Sequence, residues 1–208
     1  MKLLHFVVGP VQTNCYLLIN EDTDQAVIVD PGASGKALGE AIQKEGFHLE
    51  AVLLTHGHFD HAGGVKDLIT FFDHPIPVYA LDEEKVTLQD PQLNAGLMMG
   101  LRESYEADHF LSDGEEVTLA GFTLQVLATP GHTIGGCCYY LPKEHLVFTG
   151  DSLFAGSIGR TDFPLGSQED LIASIREKLL PLPDETMVLP GHGGTSTIER
   201  EKMQNPYV

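Results

Sequence analysis

Positive charge is scarce in this chain. Lysine and arginine number 12 against 30 aspartates and glutamates, a formal net charge of −18 over 208 residues. A nucleic-acid groove or a patch for an anionic membrane needs the opposite sign, so neither partner is expected. Cysteine is scarce too. Cys15, Cys137 and Cys138 are too few for a disulfide framework. Adjacent residues on a strand point to opposite faces, so Cys137 and Cys138 are not expected to pair, and all three read as reduced and apolar. Long hydrophobic runs are missing as well, and no segment approaches the ~20 residues of a membrane span. Met1 to Val8 is apolar but runs into Gly9-Pro10 without a small-residue cleavage site, and reads as a first strand rather than a leader. A cytoplasmic protein is the expectation. No linker or low-complexity tract divides the chain, so residues 1–208 are expected to form one domain.

What is present is ordinary globular material, 42% hydrophobic and 20% charged, with room for a sizeable core. Leu3–Val8, Cys15–Ile19 and Ala26–Val29 read as strands, and Asp30-Pro31-Gly32 closes the third with a turn,. Ser34 is placed to cap a helix with Ala37, Leu38, Ala41 and Ile42 on its apolar face, ended by Gly46,. Ala51–Leu54 is a fully apolar strand, and Ala62–Phe72 has helical spacing at Val65, Leu68, Ile69 and Phe72,. Asp82–Arg102, with Asp90-Pro91, Gly96 and Met98-Met99, predicts broken helix that could flank a cleft. Four further strands are expected at Glu116–Leu119, Phe122–Ala128, Cys137–Leu141 and His145–Phe148. Ser167 caps a helix carrying Leu171, Ile172, Ile175 and Leu179; Met187–Leu189 is a last strand and Thr195–Met203 a last helix. Each half thus supplies strands plus helices that need an apolar surface to cover. Two sheets face to face with helices outside, an α+β sandwich, satisfy both halves.

The chemistry concentrates in Thr55-His56-Gly57-His58-Phe59-Asp60-His61, followed by Gly131-His132, Thr149-Gly150-Asp151 and Gly191-His192. Each follows an extended apolar run, where a strand ends and a loop begins. Burying imidazoles and carboxylates together is costly unless a cation repays the desolvation. His56 and His58, two apart, point the same way in an extended segment. They join His132 as candidate ligands of one metal ion. Asp60, His61 and His192 are candidates for a second, with Asp151 shared between the two. Imidazole and carboxylate without thiolate suit Zn²⁺, Fe or Mn²⁺, with Zn²⁺ preferred here. His5, His48, His74, His109 and His145 read as surface or otherwise satisfied histidines. Cys137-Cys138 is not needed as a ligand pair, and Asp30 reads as a residue that buttresses the site by hydrogen bonds.

The order His-X-His-X-Asp-His, Gly-His, Gly-Asp, Gly-His resembles the metallo-β-lactamase superfamily across nearly the whole chain. The resemblance implies a four-layer αββα sandwich with metals at one edge. Thr149–Phe154, Gly156–Pro164 and Pro190-Gly191-His192-Gly193 resemble the small bacterial glyoxalase II-like branch. That branch implies hydrolysis of a hydroxyacylglutathione or similar small-molecule thioester by a metal-activated hydroxide. Asp60 and Asp151 would be the catalytic carboxylates. Full-length glyoxalase II enzymes draw basic glutathione contacts from a C-terminal helical extension, which is not expected here because the sequence stops at Val208. Persulfide dioxygenases share the Gly159–Phe163 stretch and imply a single iron at His56, His132 and Asp151. A lactonase shares the ligand set. The two-zinc β-lactamases that place cysteine at the position of Asp151 are disfavoured, as is an RNA-processing nuclease. Arg160 and Asp162 are expected to form an ion pair that fixes the loop after Asp151, with Arg160 facing substrate as the alternative.

Overall fold

Side-chain alternation along the strands decides the layering. In β2 (Thr13–Asn20), Leu17 and Ile19 join one apolar cluster while Tyr16 and Leu18 join another. In β9 (Cys137–Leu141), Cys137 and Tyr139 face the second cluster while Cys138 and Tyr140 face a third. The middle cluster is therefore the space between two sheets, and the outer two lie under helices. The computed structural model describes residues 1–208. It is the expected mixed α+β, four-layer αββα sandwich.

The first sheet runs in chain order through β1 (Lys2–Val8), β2, β3 (Gln25–Val29), β4 (His48–Leu53), β5 (Val78–Leu81) and β6 (His109–Leu111). Helices α1 (Gly35–Lys44) and α3 (Val65–Ile69) cover its outer face through Leu38, Ile42, Val65 and Leu68. The short helix α2 (Phe59–Ala62) precedes α3, and α4 (Lys85–Gln89) follows β5. The second sheet contains β7 (Glu116–Leu119), β8 (Phe122–Ala128), β9, β10 (Leu146–Gly150), β13 (Met187–Pro190) and β14 (Ser196–Thr197). A separate hairpin pairs β11 (Leu153–Phe154) with β12 (Ser157–Ile158). Helix α5 (Gln168–Ser174), its π-turn extension Ile175–Leu179, and α6 (Ile198–Gln204) cover the second sheet through Leu171, Ile175, Leu179 and Ile198.

Strand direction then gathers the functional loops. Strands β3 and β4 are parallel, so Asp30 and His56 leave the first sheet on one edge. In the second sheet β8 and β10 are each antiparallel to β9, hence parallel to each other, and β13 is parallel to β10. The loops carrying His132, Asp151 and His192 therefore leave that sheet together.

Several local expectations need correction. Ser34 precedes α1, but it sits in the left-handed region at φ 60° and its side chain makes no capping bond. Ser167 and Thr197 do cap, accepting from the Asp170 and Arg200 amides, and the last helix starts after Thr197 rather than at Thr195. The helix expected over Ala62–Phe72 is shorter, Val65–Ile69, and is separated at Gly63-Gly64 from a short helix, Phe59–Ala62, that precedes it. The break has a steric cause: β-carbons at Gly63 and Gly64 would press on the carbonyls of Gly32 and Pro31. The short strands β5, β6, β11 and β12 escape sequence reading because each has too few residues to show a period. Cys15, Cys137 and Cys138 are buried and unpaired, with burial raising each thiol pKa. No helix is long and apolar enough to cross a membrane.

The Asp30–Ala33 turn thus lies directly against the helix start that carries Asp60 and His61. A β-carbon at Gly32 would collide with the Asp60 carbonyl. Gly32→Ala should cost about 2 kcal/mol by forcing two backbones apart, a fall of about 4–8 °C in Tm for a chain of this size. Thermal unfolding checks this, and an unchanged Tm would contradict the packing.

Candidate metal centre

The second-layer hydrogen bonds set the orientation of each ring before any ion is considered. Asp30, in the left-handed region at φ 51°, accepts from the Thr55 amide at 2.8 Å and the Thr55 hydroxyl at 2.7 Å. With its proton given to Asp30, the Thr55 oxygen can only accept from His56 Nδ1, 3.1 Å away,. That leaves a bare lone pair on His56 Nε2. Asp30 also accepts from His61 Nδ1 at 2.9 Å, which frees His61 Nε2 in the same way. His132 Nδ1 donates to the Arg160 carbonyl at 2.7 Å, so its Nε2 is free as well. Each ring is held from behind, as a ligating histidine needs.

The freed nitrogens converge. His58 Nδ1 lies 3.1 Å from His56 Nε2 and 3.0 Å from His132 Nε2. On the other side, His192 Nε2 lies 3.2 Å from Asp60 Oδ2 and 3.4 Å from His61 Nε2. Asp151 stands between the sets: Oδ2 is 3.5 Å from His132 Nε2, and Oδ1 is 3.4 Å from His61 Nε2 and 3.6 Å from His192 Nε2. All seven residues anticipated from sequence are brought together. His56, His58 and His132 form one metal-capable group and Asp60, His61 and His192 another, while Asp151 groups with His56 and His61. The remaining histidines lie elsewhere, His5 on Tyr16, His48 on His74, and His109 on Tyr79.

The donor set fits divalent cations. Lone pairs at about 3 Å repel unless a proton or a cation sits between them. The buried Asp151 Oδ1, turned into the cluster, has no hydrogen-bond partner, a deficit that a buried group rarely carries. Burial and then the surrounding rings hold His56 well below the usual imidazole range. Burial and His132 push His58 down to about 3. Burial lowers His132 despite Asp151. These three rings are neutral and ready to ligate. His61 behaves oppositely: burial would lower it, but Asp60, Asp30 and Asp151 together raise it. His192 is raised likewise by its bond to Asp60 and by Asp151, against burial. Asp60 is held down to about 2 by His61 and His192 although burial acts the other way, and Asp151 is lowered by His61 and its neighbours against the same penalty.

Three residues with a part in this geometry were not given one by sequence reading. The Thr13 hydroxyl donates to Asp60 Oδ2 at 3.1 Å. Asn14 Nδ2 donates to the Pro190 and Gly193 carbonyls, both at 2.9 Å, holding the loop of His192. Glu84, wholly buried, accepts from the amides of Gly57 and Gly135. Threonine, asparagine and glutamate one sheet away carry no spacing signal. Asp30, expected as a buttress, is one. Arg160 and Asp162 form the expected pair, with Nε and Nη2 each donating at 2.8 Å. The guanidinium also lies over the Phe163 ring at 4.4 Å. A cavity of about 410 Å³ opens onto the cluster, walled by Met98, Met99, Phe154 and Phe163, with Arg160 as its one cationic side chain apart from the histidines. The broken segment before Arg102 does flank a cleft.

Comparison with known proteins agrees with this geometry. The chain is 43% identical over its whole length to the probable metallo-hydrolase YqgX of Bacillus subtilis, covering 98% of that protein. It is 39% identical, over 97% of its length and 95% of the relative, to the hydroxyacylglutathione hydrolase GloC of Haemophilus influenzae. Among solved structures, the BLEG-1 B3 metallo-β-lactamase superposes with a TM-score of 0.92 at 42% identity, covering 99% of both chains. TTHA1623 in a di-iron-bound form gives 0.86 at 36% identity, covering 99% of this chain and all of the other. ETHE1 from Myxococcus xanthus gives 0.78 at 30%, over 99% of this chain and 84% of its own. Residues 8–192 match the metallo-beta-lactamase superfamily, and with this fold and this cluster the chain belongs to that superfamily as a metal-dependent hydrolase.

Proposed function

We propose that the chain is a two-metal hydrolase of a small-molecule thioester such as a hydroxyacylglutathione. The observation that carries the reading is Asp151, whose two oxygens face the two ligand groups separately. His56 Nε2, His58 Nδ1 and His132 Nε2 would hold one ion; Asp60, His61 Nε2 and His192 Nε2 the other; Asp151 would bridge. Zn²⁺ is the ion assigned, with iron the rival because TTHA1623 is described in a di-iron form. Such a pair lowers the pKa of a bound water to about 7 and polarises a carbonyl oxygen.

The chain's own residues supply the rest. Thr13 fixes the Asp60 carboxylate on the cleft side of the cluster, where it can orient the attacking water. Met98, Met99, Phe154 and Phe163 give the cleft apolar walls against which an acyl group can pack,. Arg160 offers the cleft a guanidinium for a carboxylate on the substrate,. A thiolate, with a parent pKa of about 8.5, leaves without a strong general acid. The thioester reading is supported by the relative GloC, a hydroxyacylglutathione hydrolase by name. A second reading, β-lactam hydrolysis, is favoured by the 42% identity to a B3 metallo-β-lactamase over essentially the full chain. It uses the same carbonyl attack.

Metal analysis of protein purified without added metal should find two equivalents, and the protein should hydrolyse lactoylglutathione. One equivalent would overturn the two-metal reading. Cleavage of a chromogenic cephalosporin without thioester turnover would replace the thioester with a β-lactam. Asp151→Ala should lower kcat/KM by on the order of 10³-fold and release at least one ion; unchanged stoichiometry and rate would refute the bridge. Acid should empty the positions in order. His61 and His192 have raised pKa values, so an ion there must displace protons that return as pH falls,. His56, His58 and His132 have lowered values and meet that competition only at lower pH. Dialysis at descending pH should therefore strip one ion first, and simultaneous loss of both would contradict the assignment.

A further inference from the structure

Asp30 supports both ligand groups, His61 directly and His56 through Thr55, but their other supports differ. Behind the Asp60, His61 and His192 group stand Asp30, Thr13 and Asn14, which hold His61, Asp60 and the His192 loop respectively. Behind the other group stands Glu84. It ends the 3₁₀ turn Asp82–Glu84 that follows β5 and has no solvent exposure. Its Oε1 accepts from the Gly57 amide at 2.7 Å. Its Oε2 accepts from the Gly135 amide at 2.8 Å and the Thr133 hydroxyl at 2.9 Å. Gly57 lies between His56 and His58 on the first sheet's loop, and Thr133 follows His132 on the second sheet's loop. One carboxylate therefore ties together the two loops whose rings must meet, and those loops come from opposite sheets. The approach is built in: a β-carbon at Gly135 would collide with the Glu84 backbone amide.

We infer that Glu84 is a positioning residue for one metal ion, the one at His56, His58 and His132, and not for the ion at Asp60, His61 and His192. Asp151 also meets both loops, but only at the ligand rings themselves; Glu84 is the carboxylate that takes backbone amides from both. A carboxylate can accept from both sides, whereas an amide of the same shape must turn its NH₂ toward one of the donors, so one loop loses its anchor. The three nitrogens then lose their common focus, while the second group keeps every one of its supports. The inference rests on the two-metal reading.

The test is a competition titration of Glu84→Gln with zinc against a chromophoric chelator, beside wild type. Wild type should show two tight sites. Glu84→Gln should keep one at wild-type affinity and weaken the other about 10–100-fold, the range seen when outer-shell partners of metal ligands are removed. In a His132→Ala background, which has already lost that position, Glu84→Gln should add no further weakening to the ion that remains. Thr133→Val removes one of the three bonds and should weaken the same site by a smaller factor; it carries the test if Glu84→Gln does not fold. Two sites weakened equally, or a lowered Tm with both sites intact, would reduce Glu84 to a structural residue and overturn the inference alone. A wild-type chain that holds a single ion would overturn the two-metal reading and this inference with it.

Discussion

Nitrogen lone pairs and carboxylate oxygens pointed at one another in a dry space are the constraint on which the rest of this structure depends. His56 Nε2, His58 Nδ1 and His132 Nε2 meet at about 3 Å, and Asp151 Oδ1 is buried with nothing to accept from. Left alone, such a cluster would swell or protonate. The fold resists the first outcome by fixing the His56, His61 and His132 rings from behind. It resists the second on one side only, since the protonation tendencies of the two ligand groups run in opposite directions. Cations resolve both problems at once, because they give the lone pairs a partner and replace the protons.

The hydrogen bonds behind the cluster form a short hierarchy. Asp30 serves Thr55 and His61 directly and His56 through Thr55. Because Asp30 ends the first sheet's β3 and Thr55 follows the parallel β4, this network belongs to one sheet. Other polar contacts run across the sandwich. Tyr16 and Asn14 of the first sheet reach the Pro190 carbonyl of the second, and Tyr139 of the second donates to the Leu54 carbonyl of the first at 2.8 Å. The inter-sheet core sets the sheets at a fixed distance, and these polar ties set the sliding register at the edge where the ligands lie. A shift of one ångström between the sheets would separate His132 from His56 and His58 without disturbing either sheet internally.

Legibility in the sequence follows from the same division. The seven candidate ligands were readable because each lies in a loop or turn that follows an apolar strand, and two of them share a face by simple alternation. Asp30 was readable because it sits before a Pro-Gly turn at another strand end. The layering was readable from strands and amphipathic helices in both halves. Unreadable were the groups that act across distance: Thr13, Asn14 and Glu84 make their contacts 47, 179 and 51 residues away in sequence. No local pattern distinguishes a buried glutamate bridging two loops from a solvated one on a helix start, and Asp82-Glu83-Glu84 looks like the latter. The break between the two helices was unreadable for a related reason. Gly63-Gly64 weakens a helix by propensity alone, but what breaks it is the Pro31-Gly32 backbone arriving from elsewhere.

Charge connects the centre to the rest of the molecule. Asp30, Asp60 and Asp151 place three carboxylates in or directly behind the cluster, and divalent ions held there would offset them. The exposed acidic residues are screened by solvent and salt. An anionic substrate approaching this protein meets repulsion until it reaches the cleft, where the ions and Arg160 are the available positive groups. Arg160 spends Nε and Nη2 on Asp162, a pair open to solvent and therefore weak, so the guanidinium can exchange that partner for another carboxylate. The surface charge therefore discriminates against polyanions, and within the cleft Arg160 is the one cationic side chain apart from the histidines.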